Sequence, residues 1–235
     1  MMLSDSIFVL SNGKEIPVFI ENRRGAHNVT LRPKIEPTHQ IHISKPWTTS
    51  KSFVLKFLES KRKWIEKIFA AAPVKETVKP GITIEFLGRP VKLVHDATMR
   101  GNCYLNYEKT TLCIGGGADM FERRARDFIK KELLVEIKNI IKRTPYEYWP
   151  TRITLRDTTS RWGSCSSNGN MSFSWRLAFA PPEVMRYVVM HELSHRKFMD
   201  HSPDFWANVS KLYGFGVERA KRWLAQNGQS LHKYF

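Results

Sequence analysis

Cysteine is scarce and unpaired in this chain. The three present, Cys103, Cys113 and Cys165, form no Cys-x-x-Cys spacing. That excludes a disulfide framework and fits a reducing compartment. Acidic residues are also few: 22 Asp and Glu against 38 Lys and Arg leave a net charge of +16. No stretch reaches the ~20 apolar residues of a membrane span, so no helical membrane protein is encoded. Met1 to Ser6 lacks the basic start and apolar run of a secretory signal, and a cytoplasmic location is expected. Gly115, Gly116 and Gly117 are not followed by the Lys-Ser/Thr ending of a P-loop, so they read as a hinge between subdomains. No internal repeat or low-complexity tract is apparent.

What is present is ordinary globular material with a basic surplus. A chain of 235 residues, 42% apolar and 26% charged, is long enough to bury a sizeable core. The charge is spread evenly. Residues 1–118 hold 18 basic and 10 acidic side chains and residues 119–235 hold 20 and 12, so each half carries +8. Such a surplus suits anionic partners such as nucleic acid or nucleotides, or simply a solvated basic surface.

Taken in order, residues from Ile7 to about Ser44 alternate as short strands, with Asn12-Gly13 as a hairpin turn. Thr48 to Ser50 offers an N-cap for one long helix over about 50–72, with Phe53, Phe57, Trp64 and Ile68 as its buried stripe. Pro73 to Pro80 reads as a linker. Further strands follow at Ile82–Leu87, Val91–His95, Cys103–Tyr107 and Leu112–Ile114, then a long helix from about Asp119 to Arg143. Beyond it, Arg152–Arg156, Met171–Trp175 and Leu177–Ala180 read as strands, with a turn at Asn168-Gly169. Pro181-Pro182 with Glu183 starts another helix, and Ser202-Pro203 caps the next.

The helix after Pro182 ends in His191-Glu192-Leu193-Ser194-His195. Residues four apart on a helix lie about 40° apart around its axis, so both histidines can bind one metal ion. Glu192 stands one step round, where a general base for a metal-activated water belongs. Catalytic zinc takes three protein ligands and keeps one position open. Candidates for the third are His201, Asp200, Asp204, Glu218 and His232, with His201 the strongest. Its six-residue distance from His195 equals the metzincin interval, but Phe198 occupies the metzincin glycine position. The spacing therefore predicts a helix reaching about Asp200 and then a sharp corner. Arg161 and Tyr187 are the nearest candidates for a second electrophile.

Arg161-Trp162-Gly163-Ser164-Cys165, Pro181-Pro182, Tyr187-Val188-Val189, the His191–His195 motif and His201-Ser202-Pro203-Asp204-Phe205-Trp206 together resemble the YgjP-like family of zinc-dependent hydrolases. That family is related to the WLM and SprT-like minigluzincin peptidases. The resemblance is specific over residues 152–226. Thr159 stands where a Lys is frequent in the family and Ser174 where an Asn is frequent.

The resemblance implies an α+β fold: a β-rich N-terminal region (1–118, with one long helix) and a compact zincin-like core (119–235) of mixed sheet and active-site helix. It also implies His191, His195 and His201 as zinc ligands and Glu192 as catalytic acid/base. Arg161, Trp162 and Tyr187 are the expected substrate-binding residues. The expected activity is metallopeptidase action on an extended polypeptide.

Two other activities fit the same residues. One is a metal-dependent nucleoside triphosphate pyrophosphatase, its anionic substrate held by Arg156 and Arg161. The other is a basic nucleic-acid-binding protein with a structural metal, which would need Cys165 as a fourth ligand. A peptidase assisted by a nucleic-acid-binding surface combines two of these readings.

Overall fold

Asn12-Gly13 and Ser50 are the local signals around which the N-terminal residues assemble. The computed structural model describes residues 6–34, 38–70, 75–158 and 161–235, so Thr159 lies outside the described residues. The chain divides into two compact units, Met1–Pro73 and Val74–Phe235.

In the first unit Gly13 turns at φ +80° between β1 (Ser6–Val9) and β2 (Glu15–Asn22). β3 (Thr30–Lys34) and β4 (Gln40–Lys45) complete a sheet of order β1-β2-β4-β3. The long helix expected over 50–72 is two helices, α1 (Lys51–Ser60) and α2 (Arg62–Ala70), separated at Lys61. The Ser50 side chain accepts from the Phe53 N–H and caps the first. Their buried stripe is Val54, Leu58, Ile65 and Phe69, while Phe53 and Trp64 are 55% and 46% exposed. Both stripes obey helical spacing, so periodicity alone does not choose between them. Contact with Ile16, Val18, Ile41 and Ile43 of the sheet selects the slimmer one.

The second unit opens with β5 (Thr83–Phe86), β6 (Arg89–Asp96), β7 (Cys103–Asn106) and β8 (Thr111–Gly115), in the order β5-β6-β8-β7. This repeats the first sheet strand for strand. In each, the outer pairs are antiparallel and the central pair is parallel. The repeat is one of topology, and the two stretches do not share a visible sequence period.

α3 (Phe121–Lys142) covers this sheet with Phe121, Ala125, Ile129, Leu133 and Ile137. The strands of residues 83–115 share one apolar core with the helices that follow. The division therefore falls at 73/74, inside the Pro73–Pro80 stretch, rather than at 118/119. The glycines before α3 lie inside this second unit and not at the division between the two. Gly116 sits at φ +91° under the Arg124 guanidinium, where a Cβ would lie 2.7 Å from Cζ.

A third sheet has the order β10-β11-β9, from β9 (Arg152–Arg156), β10 (Gly163–Cys165) and β11 (Asn170–Ser174). The strand expected at Leu177–Ala180 is instead a 3-10 turn, Trp175–Phe179. Long-range bonds to Arg176 explain it. Its guanidinium, 4% exposed, donates to both Asp157 carboxylate oxygens (3.0 and 3.1 Å), to the Tyr234 carbonyl and to the Phe235 main-chain oxygen. Arg176→Leu should destabilise the unit by about 1–3 kcal/mol, because the buried Tyr234 carbonyl loses its donor while the half-exposed Asp157 turns to water. Denaturant titration of the variant checks this, and a midpoint unchanged from the parent would contradict it.

α4 (Pro182–Ser194), α5 (Pro203–Tyr213) and α6 (Val217–Asn227) complete the mixed α+β architecture. Among the described residues no helix is long and apolar enough to cross a membrane.

Candidate metal centre

α4 stops sooner than its sequence pattern suggests. It ends at Ser194, and His195 closes it at φ −64° and ψ −12°. The Ser194 hydroxyl donates to the Met190 carbonyl at 2.9 Å. The Arg196 N–H then bonds the Leu193 carbonyl at 3.0 Å, and the Lys197 and Phe198 N–H groups both bond Ser194 at 3.1 Å. The chain thus doubles back within one turn, with no positive φ among these residues. Phe198 achieves the early reversal without glycine because its ring packs against the core. The predicted long helix and late corner are therefore replaced by a short helix and an early turn.

That turn brings His201 back over α4. Its Nε2 lies 3.2 Å from Nε2 of His191, and the candidate ligand atoms of His191, His195 and His201 all lie within 4.8 Å of one another. A tetrahedral cation with bonds of about 2.0–2.1 Å sets its ligand nitrogens about 3.3 Å apart, so the cluster fits a single metal ion. His195 Nδ1 lies 2.9 Å from the Phe198 carbonyl. An N–H donated there leaves Nε2 with its lone pair free. Burial pushes His191 down to about 4, helped by the charges of His195, His201 and Lys221, so it stays a neutral donor at pH 7.

Beneath all three imidazoles lies one ring. Phe205, fully buried, has its centroid 4.9, 4.6 and 4.7 Å from those of His191, His195 and His201. It is held there by the start of α5, where the Ser202 hydroxyl accepts from the Phe205 N–H. Sequence spacing marks Phe205 only as an apolar helix position. Its place directly after the His201-Ser202-Pro203 cap was the available hint.

Glu192 is 5% exposed, and burial pushes its carboxyl up to about 8 against the pull of Arg161. It faces β10. A Cβ built on Gly163 would lie 2.5 Å from Glu192 Oε1 and 2.6 Å from Cγ. The absent side chain of Gly163 is what leaves room for this carboxylate, a role that residue type alone does not reveal.

The remaining expected residues are dispersed. Arg161 is exposed and lines a cavity beside Gly163. Trp162 turns toward the C-terminal segment, 5.6 Å from the His232 ring and against Gly228. Tyr187 is buried one turn before His191, edge-on to it at 6.0 Å, and burial pushes its hydroxyl up to about 12 with help from Glu218 and Glu192. Cys165 does not join the histidines, and among the described residues no other His, Cys, Asp or Glu does. The structural-metal reading therefore lacks its fourth ligand.

The family model described as the YgjP-like metallopeptidase domain matches residues 29–227. Among solved structures, the crystal structure of the metallopeptidase zymogen of Pyrococcus abyssi abylysin is similar at 25% identity, with a TM-score of 0.33. The match covers 45% of this chain and 98% of that one. No curated protein matches the chain.

Proposed function

The chain belongs to the YgjP-like metallopeptidase family, and from that premise we propose a zinc peptidase that cleaves extended polypeptides at the cluster formed by His191, His195 and His201. The reading rests on one observation above others. Three imidazoles converge within 4.8 Å with no fourth protein ligand among the described residues, which is the donor set of a catalytic rather than a structural zinc. Bound there, zinc would supply Lewis acidity, lowering the pKa of water and polarising the scissile carbonyl.

The chain's own residues do the rest. Glu192, which a cation bound beside it would keep ionised against the burial that raises its pKa, accepts the proton of the attacking water and passes it to the leaving amine. β10 is the edge of its sheet and carries Gly163 against Glu192, so a substrate strand adding to that edge runs past the carboxylate. Phe205 excludes water behind the imidazoles and fixes their planes.

Purified protein should contain one zinc per chain and hydrolyse an unfolded protein in a chelator-sensitive manner. Chelator-sensitive turnover of nucleoside triphosphates without peptide hydrolysis would replace the peptidase with a phosphohydrolase. Gly163→Ala should lower kcat about hundredfold, since a displacement of about 1 Å in a reacting group costs that much. Its zinc content should stay at the parental level, because Glu192 moves and the histidines do not. Parental kcat in Gly163→Ala would show that the close approach has no bearing on the reaction.

A further inference from the structure

Beside the metal centre lies a cavity of about 620 Å³ on the face of the β10-β11-β9 sheet that points away from the core. Strand register explains its lining. Ile153, Leu155 and Phe173 pack inward with the core, so the alternate residues of β9 and β11 face the other way, and Met171 of the core also borders the cavity. Ser164, Ser172 and Thr154 form one cross-strand row, and Ser174 pairs with Arg156 in the next. The Ser164 and Ser172 hydroxyls are 2.8 Å apart.

Arg156 and Arg161 line this cavity together, and no acidic residue or Lys lines it. Among the described residues neither guanidinium is in a salt bridge. Two guanidiniums free of salt bridges, among hydroxyls and amides, form a receptor for an oxyanion. No aromatic ring lines the cavity. A nucleotide would leave its base without a stacking partner, whereas a carboxylate needs none.

Gly163 belongs both to this lining and to the contact with Glu192, and the charge of Arg161 reaches Glu192. A strand paired to β10 alternates its side chains between the two sheet faces. One set meets the metal side, and the other enters the cavity. We propose that this cavity is a subsite for a carboxylate of the polypeptide substrate, gripped by Arg156 and Arg161, so that the enzyme prefers acidic sequence next to the cleaved bond. The proposal rests on the peptidase reading for its substrate but on the cavity alone for its ligand.

The test uses matched peptides with Glu, Gln or Lys at each position near the cleaved bond, each with a free or amidated C-terminus. The zinc-loaded parent should show a kcat/KM about tenfold higher for Glu than for Gln at one position, the size of a charge-assisted hydrogen bond. Arg156→Gln should reduce that ratio to about twofold, and Arg156→Glu should reverse it in favour of Lys. Arg156 is exposed, so both variants should fold. A preference that follows the free C-terminus assigns the same subsite to a terminal carboxylate, and one that survives amidation assigns it to a side chain.

Equal kcat/KM for Glu, Gln and Lys peptides overturns the subsite and leaves the peptidase intact. Binding is measured separately, by fluorescence anisotropy on Glu192→Gln. Tighter binding of Glu peptides in the absence of any turnover by the parent would keep the subsite and sink the peptidase. Equal affinities would sink the subsite whatever the turnover. A nucleoside triphosphate binding more tightly than any Glu peptide would also overturn it.

Discussion

Glu192→Gln should cut peptide hydrolysis by a factor on the order of 10²–10⁴, the range for loss of a positioned general base. Zinc content should be unchanged. Gln matches Glu in volume and shape, so the tight fit against Gly163, with the carboxylate 2.5 Å from where a Cβ would stand, is kept. What is lost is the acceptor for the proton of the attacking water. KM should move little, because the change touches the reacting atoms and not the substrate's remote contacts. Inductively coupled plasma analysis of the purified variant, with steady-state kinetics on an unfolded protein, separates the outcomes. Full activity would remove Glu192 from the mechanism, and loss of zinc would reassign it to holding the metal.

The parts legible in sequence are those set by local rules. Helical spacing alone put His191 and His195 on one face, and Ser50, Pro182 and Ser202 announced the starts of three helices. Asn12-Gly13 announced its hairpin in the same way. Parts decided by distant partners were not legible. The 3-10 turn at Trp175–Phe179 owes its shape to bonds between Arg176 and residues 19 to 59 positions away. The stripe of α1 and α2 was ambiguous because two apolar rows share one period, and only the opposing sheet selects between them.

The strands of residues 83–115 look like those of residues 6–45, yet they join a different core, which a hydrophobic pattern cannot specify. The same limit applies inside the site. Gly163 and Phe205 act through what they touch, Glu192 in one case and three imidazoles in the other. Their residue types declare neither contact.

His201→Ala should weaken zinc binding by more than about hundredfold, because loss of a mere second-sphere partner already costs 10–100-fold. The early turn makes His201 irreplaceable. Phe198 folds onto the core and its carbonyl is taken by His195 Nδ1, so the segment from Arg196 to Asp200 has no slack to offer another side chain. Asp200 is committed to the turn as well, accepting from the Ser202 N–H at 3.2 Å. Glu218 is 3.7 Å from Lys221 and outside the histidine cluster.

Competition with a chromophoric chelator gives the affinity directly. Glu218→Ala and Asp200→Asn should each stay within about tenfold of the parent, below the cost of losing a partner that orients a ligand, because Asp200 bonds the Ser202 N–H and Glu218 pairs with Lys221. Parental affinity in His201→Ala, with loss in Glu218→Ala instead, would move the third ligand to α6. The proposed peptidase site would then have a carboxylate where this structure has an imidazole.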